Sequence, residues 1–266
     1  VTTSIDVKRR RLIENNHSAT HLLHAALRDV LGDHVQQRGS LLNEEYLRFD
    51  FSHFAKVTSE ELQKIESIVN QKIREDILLK EDRNIPISVA EKSGARMLFG
   101  ETYGATVRMI TFDPAYSIEL CGGCHVRSTG HIGFLKIISE SAVAAGVRRI
   151  EAVTADGAEK YVNDQLHQLA QIKSELKNPA DPIKSLKELM AEVKDLKQQI
   201  EAVEAGKATM IKTALMQSVE TVNGISFVSH EVDIADQKLI KQMIYQMGQE
   251  LGDQNFLLLG SKGDGK

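Results

Sequence analysis

The chain has 266 residues, of which 42% are hydrophobic and 26% charged, with a formal net charge of −4 and two cysteines. That is enough for one large domain or two smaller ones with packed cores. No apolar run approaches the ~18–20 residues that cross a bilayer, and residues 1–16 lack a signal peptide's apolar stretch. Two cysteines three residues apart make no disulfide framework, which points to a reducing, cytoplasmic setting.

In chain order, residues 1–155 mix helix and strand. A basic cluster, Lys8, Arg9, Arg10 and Arg11, precedes "NHSATHLLHAAL" at residues 16–27, the start of an amphipathic helix. Apolar positions recur at helical spacing from 22 to 31, and Gly32 supplies a stop. "YLRFDFSH" alternates: Leu47, Phe49 and Phe51 face one way, Arg48, Asp50 and Ser52 the other, as in a half-buried strand. A second helix opens near Thr58 and Ser59 with a capping box to Glu61, and its apolar face is Leu62, Ile65, Ile68, Val69 and Ile73. Strand-like runs follow at 85–89, 106–112, 132–138 and 147–153, punctuated by Gly and Pro. The expected class is α+β, an antiparallel sheet with helices packed on one side.

Residues 156–220 read as helical, broken once at "KNPADP", where two prolines force a turn. Beyond it Leu186, Leu189, Val193, Leu196, Ile200 and Val203 keep a heptad spacing, so a helical hairpin or coiled coil is expected. Residues 221–266 resume with a strand at "GISFVSHEV", a helix from 236 to 251 and a strand at "NFLLLG". One helix between two strands is too little for an independent core, so this α/β segment reads as cut short.

Two fragments carry chemistry. His17 and His21 stand four apart on one helix and so share a face. "LCGGCHV" brings both cysteines and His125 together around two glycines that let the backbone turn tightly. Thiolate and imidazole are zinc's preferred ligands. Cys121 with His125 repeats the HxxxH spacing, Cys121 with Cys124 makes a CxxC pair, and a redox dithiol is a third reading without its βαβ context. His24, among Leu22, Leu23 and Leu27, reads as a satisfied helix histidine.

At these residues the chain resembles the editing region of the alanyl-tRNA synthetases. "NHSATHLLHAAL", "HVQQRGSLLNEEYLRFDFSH", "ELCGGCHVRSTGHIG" and "SESAVAAGVRRIEAVT" fall in the family's order and spacing. HxxxH with CxxxH is shared with threonyl-tRNA synthetase editing domains, whereas "GVRRIEAVT" and the helical segment favour the alanyl family. The resemblance divides the chain into a zinc-containing editing domain (1–155), a helical linker (156–220) and the start of a C-terminal tRNA-binding domain (221–266). The expected protein is the C-terminal part of an alanine–tRNA ligase; ATP and Mg belong to an aminoacylation domain that nothing here resembles. The family's usual motif is CGGTH, and Cys124 replaces its threonine.

The resemblance implies hydrolysis of tRNA-Ala mischarged with serine or glycine, one zinc ion held by His17, His21, Cys121 and His125, and Thr20 and Gln37 at the pocket wall. A hydrophobic pocket for a small side chain discriminates by only about 1–3 kcal/mol. A second site that hydrogen-bonds the serine hydroxyl applies a different test. For tRNA, the phosphate contacts expected are Arg9, Arg10, Arg11, Arg148 and Arg149, although Arg148 or Arg149 brace the sheet equally well through an acid such as Glu151. Gln37 and Ser40 flank a turn, and Arg48 and Asp50 pair as readily with each other as with RNA. A homodimer through the helical or C-terminal segment is a further expectation. The alternatives are a free-standing editing protein, a domain acting on Ser-tRNA-Thr, and a zinc-stabilised tRNA-binding module without catalysis.

Overall fold

A computed structural model describes residues 2–97, 102–234 and 236–261. The chain divides into two units, 1–170 and 171–266.

The first helix, α1 (Val7–Leu31), begins where the Asp6 carboxylate accepts the Arg9 backbone N–H, nine residues before the expected start. It ends as expected at Gly32, whose φ of 111° suits glycine. The hairpin β1 (Gln37–Leu42) and β2 (Leu47–Ser52) follows, and β2 buries Leu47, Phe49 and Phe51 as the alternation predicts. Helix α2 (Ser59–Arg74) carries the expected capping box in full: the Glu61 N–H donates to Thr58, and the Thr58 N–H donates to Glu61.

The expected α+β class with antiparallel strands and packed helices is present, and in this unit its strands form two sheets. One has the order β1, β2, β7 (Val147–Thr154), β6 (Leu135–Ala144); the other runs β3 (Lys80–Pro86), β4 (Thr106–Phe112), β5 (Ser117–Leu120). All their pairings are antiparallel. The run at 85–89 is a strand only as far as Pro86; a short helix, α3 (Ile87–Lys92), starts there because proline fixes a φ suited to a helix start. The run at 132–138 starts late, since Thr129–Ile132 form a 3₁₀ turn closed by Gly133 at φ 74°.

The core of this unit gathers Leu22, Leu23 and Leu27 of α1, Ile65 of α2, Phe49 and Phe51 of the larger sheet, and Ile110 and Phe112 of the smaller one. Asn70 ties α2 to β6: its amide donates to the Leu135 carbonyl and its oxygen accepts the Leu135 N–H, both at 2.9 Å. Helix α4 (Ala155–Glu175) follows β7.

In the second unit, α5 (Pro182–Gln217) starts with Asp181 as its cap and Pro182 in its first turn. The strands β8 (Glu220–Val222), β9 (Ile225–Val232) and β10 (Asn255–Ser261) form one sheet, with β9 and β10 parallel and joined through α6 (Gln237–Leu251). Ala208, Leu215, Val228, Ile240, Met243 and Met247 make its core. The heptad positions of α5 from Leu186 to Val203 are all exposed. Among the described residues no helix is long and apolar enough to cross a membrane.

Candidate metal centre

Helical spacing puts His17 and His21 on one face of α1, and the turn after β5 brings Cys121 and His125 to that face. The four ligand atoms lie within 4.8 Å of one another. Cys121 Sγ is 3.4 Å from His17 Nε2 and 3.3 Å from His125 Nε2. A tetrahedral zinc with bonds of ~2.3 Å to sulfur and ~2.0–2.1 Å to nitrogen sets such atoms about 3.5 Å apart. The donors present therefore fit the ion in type, and the Cys121 contacts to His17 and His125 fit it in spacing.

The outer ring nitrogens are oriented as well. His17 Nδ1 is 3.1 Å from the Cys124 carbonyl, and His125 Nδ1 is 3.1 Å from Ser18 Oγ. Ser18 also accepts the Val126 N–H at 3.1 Å, which ties the turn to the helix. His21 Nδ1 makes no ordinary hydrogen bond, but Glu119 Oε2 lies 3.5 Å away. With Nδ1 of His17 and His125 occupied in this way, Nε2 of each ring is left to approach Cys121 Sγ.

Backbone contacts hold the turn. Arg108 Nη1 donates to the Cys121 carbonyl at 3.0 Å and to that of Gly123, while its Nε is fixed by Glu81. Arg83 and Arg108 hold the Glu81 carboxyl down at about 2. Of the two glycines, only Gly123 is pressed against the site: a Cβ there would sit 2.0 Å from His17 Cε1, whereas one on Gly122 would meet open space.

Burial pushes the His17 imidazole down to about 4, with His21 beside it adding to the fall. Burial also lowers His21, against the pull of Glu119, and lowers His125, helped by His21 and His17. It pushes the Cys121 thiol up. At neutral pH the cluster thus offers three neutral imidazoles and a thiol that must lose its proton to bind a cation.

The remaining expected residues scatter. Thr20 is buried on α1 between the two ligand histidines, and its hydroxyl donates to the Asn16 carbonyl at 2.8 Å. Gln37 lines a cavity of about 280 Å³ with His24, Arg28, Arg96 and Glu119. Arg10 and Arg11 line a cleft of about 720 Å³ with Glu14, Arg127 and His131, and His125 forms part of its wall. Arg9 instead pairs with Glu44 at 3.0 Å. Arg148 pairs with Glu140 at 2.5 Å, and Arg149 holds Asp50 with two bonds of 2.7 and 2.8 Å. These two arginines brace the sheet chiefly through Glu140 and Asp50, while Glu151 accepts from Ser139 and adds its charge beside Arg149. Arg48 also approaches Asp50, at 3.9 Å. His24 stands outside the ligand set, with Nδ1 3.0 Å from Glu119 Oε1.

Sequence reasoning passed over Glu119, Ser18 and Arg108. For Glu119 a signal existed: positions 119 and 121 alternate onto the same side of an extended strand.

The second additional domain of threonyl and alanyl tRNA synthetases matches residues 107–151, the stretch that carries Cys121 and His125. Over its whole length the chain is 53% identical to the alanine–tRNA ligase of Cytophaga hutchinsonii, covering 30% of that protein. It is 50% identical over 252 residues to that of Christiangramia forsetii, and 45% identical over 267 aligned positions to that of Bacillus pumilus. The chain thus spans about 30% of the length of the curated relatives it matches. The resemblance read from its motifs is borne out along the full chain.

Proposed function

We propose that this chain, alike from end to end to part of the alanine–tRNA ligases, is their proofreading segment and hydrolyses tRNA-Ala mischarged with serine or glycine. The observation that carries the reading is a His₃Cys cluster with one member, His125, in the wall of an arginine-lined cleft. His17, His21, Cys121 and His125 would hold one zinc ion. Bound there, zinc supplies a Lewis acid able to polarise an ester carbonyl or to lower the pKa of an attacking water.

The chain's own residues do the rest. Arg10, Arg11 and Arg127 pair with no carboxylate among the described residues, so their guanidiniums are available to backbone phosphates of the acceptor end. Phosphates held in that cleft bring the terminal ester towards His125. By resemblance to the family, Thr20, beside the cluster on α1, and Gln37, in a separate cavity, are assigned the test of the amino acid's side chain, a hydroxyl on serine and small size on glycine. ATP-dependent alanylation, with its Mg, belongs to the rest of the ligase. Two free cysteines suit a cytoplasmic setting. Self-association of two copies through the exposed α5 seam is part of the proposal, and Leu196→Glu should abolish any dimer seen by sedimentation.

One observation favours a second reading. Four protein ligands form a closed set, which is the pattern of a structural zinc. The test presents Ser-tRNA-Ala, Ala-tRNA-Ala and Ser-tRNA-Thr to the wild-type chain and to folded His17→Ala and Cys121→Ala variants. The proposal expects hydrolysis of Ser-tRNA-Ala by wild type alone. Equal hydrolysis by all three proteins removes the site's role, and preference for Ser-tRNA-Thr moves the substrate.

A further inference from the structure

Glu119 presents a charge that the protein alone leaves unbalanced. It sits on β5, two residues before Cys121, with 12% of its side chain exposed. Its ion-pair partners among the described residues are two histidines, His24 at 3.0 Å and His21 at 3.5 Å, and no lysine or arginine joins them. A buried carboxylate is costly unless paired with a cation. Neutral imidazoles are weak compensation. A cation held among the four ligand atoms would supply the missing positive charge.

We infer that Glu119 is the positioning residue of the metal centre: it holds the Nδ1 proton of His21, so that Nε2 faces the ion, and its charge balances the ion's. This rests on the zinc reading above. With a dication, a Cys121 thiolate and the Glu119 carboxylate, the buried charges sum to zero. His24 braces the arrangement. It lies seven residues beyond His17 on the same face of α1, and its Nδ1 fixes Oε1 so that Oε2 is left for His21. Ser18 and the Cys124 carbonyl, which engage the other two rings, are neutral, so Glu119 alone adds charge as well as direction. Partners of this kind typically contribute 10–100-fold to metal affinity.

The test has two readouts besides hydrolysis. Long-range ¹H–¹⁵N NMR of the metal-free wild-type chain reports which nitrogen of His21 carries the proton; Nδ1–H is expected, and Nε2–H overturns the inference. Zinc affinity, measured by competition with a chromophoric chelator, should fall about 10–100-fold in Glu119→Gln. The absorption bands of bound Co(II) should move with it. If Glu119→Gln fails to fold, His24→Leu serves: it should weaken zinc binding by a smaller factor and alter the same bands. An affinity and spectrum matching wild type in the folded variant overturn the role of Glu119 while leaving the zinc site standing. A wild-type chain that binds no zinc overturns both.

Discussion

Replacing Gly123 by alanine drives a methyl group into His17. The built Cβ lies 2.0 Å from Cε1, 2.5 Å from Nδ1 and 3.3 Å from Nε2 of that ring. Carbon contacts settle at about 3.5–4.0 Å, so the ring must retreat by about 1.5 Å or more. A zinc–nitrogen bond is only ~2.0–2.1 Å long, and a displacement of that size takes Nε2 out of bonding distance. The Nδ1 contact to the Cys124 carbonyl goes with it, at a cost of about 1 kcal/mol in fold stability. Gly123 does not occupy the left-handed region of backbone space, so alanine fits the main chain and the fold survives. Zinc affinity should drop at least ~100-fold, the upper end of what losing an outer partner alone costs. Gly122→Ala is the matched control: its Cβ meets nothing within 4 Å, so binding should not change. Chelator competition with circular dichroism on both variants reads the result. Wild-type zinc affinity in folded Gly123→Ala would refute the reasoning.

Three further outcomes are expected. The metal-free chain should lose stability on acidification, because unfolded His17 takes up a proton near 6.5 while the folded ring holds off to about 4. Nothing is lost above pH 6.5, and roughly 2 kcal/mol is lost at pH 5 from His17 alone; urea melts that stay level from pH 7 to 5 contradict this. Arg149→Ala should lower stability by leaving the Asp50 carboxylate with only the more distant Arg48, whereas unchanged urea melts with weakened tRNA binding would return Arg149 to the RNA surface. Arg10→Ala, Arg11→Ala and Arg127→Ala should each weaken tRNA binding and flatten its logarithmic salt dependence by about 0.7–0.9; unaltered slopes place the RNA elsewhere.

What could be read from the chain was whatever depends on neighbours in sequence. The alternation of β2, the Thr58–Glu61 capping box, the α6 boundaries and the HxxxH face are all local patterns, and all four are present in the structure. The misreadings arose where one residue redirects the backbone. Asp6 starts α1 early, Pro86 turns the 85–89 run into a helix, and Gly133 delays β6. The division into two sheets depends on which strands meet, and periodicity carries no record of that. The same limit applied at the site. Ligand types could be recognised by spacing, but the partners of the arginines lie far off in sequence: Arg149 finds Asp50 across the β2–β7 register, and Arg148 finds Glu140 across β6–β7. Thr20 and Gln37 came from resemblance, and the structure gives them separate surroundings.

The most direct measurement is X-ray absorption at the zinc edge on the chain loaded with one equivalent of metal. Three nitrogens at ~2.0–2.1 Å and one sulfur at ~2.3 Å are predicted, with the sulfur lost in Cys121→Ser and kept in Cys124→Ser. Two sulfurs in the wild-type shell, or a spectrum indifferent to Cys121→Ser, would contradict the His17, His21, Cys121 and His125 centre.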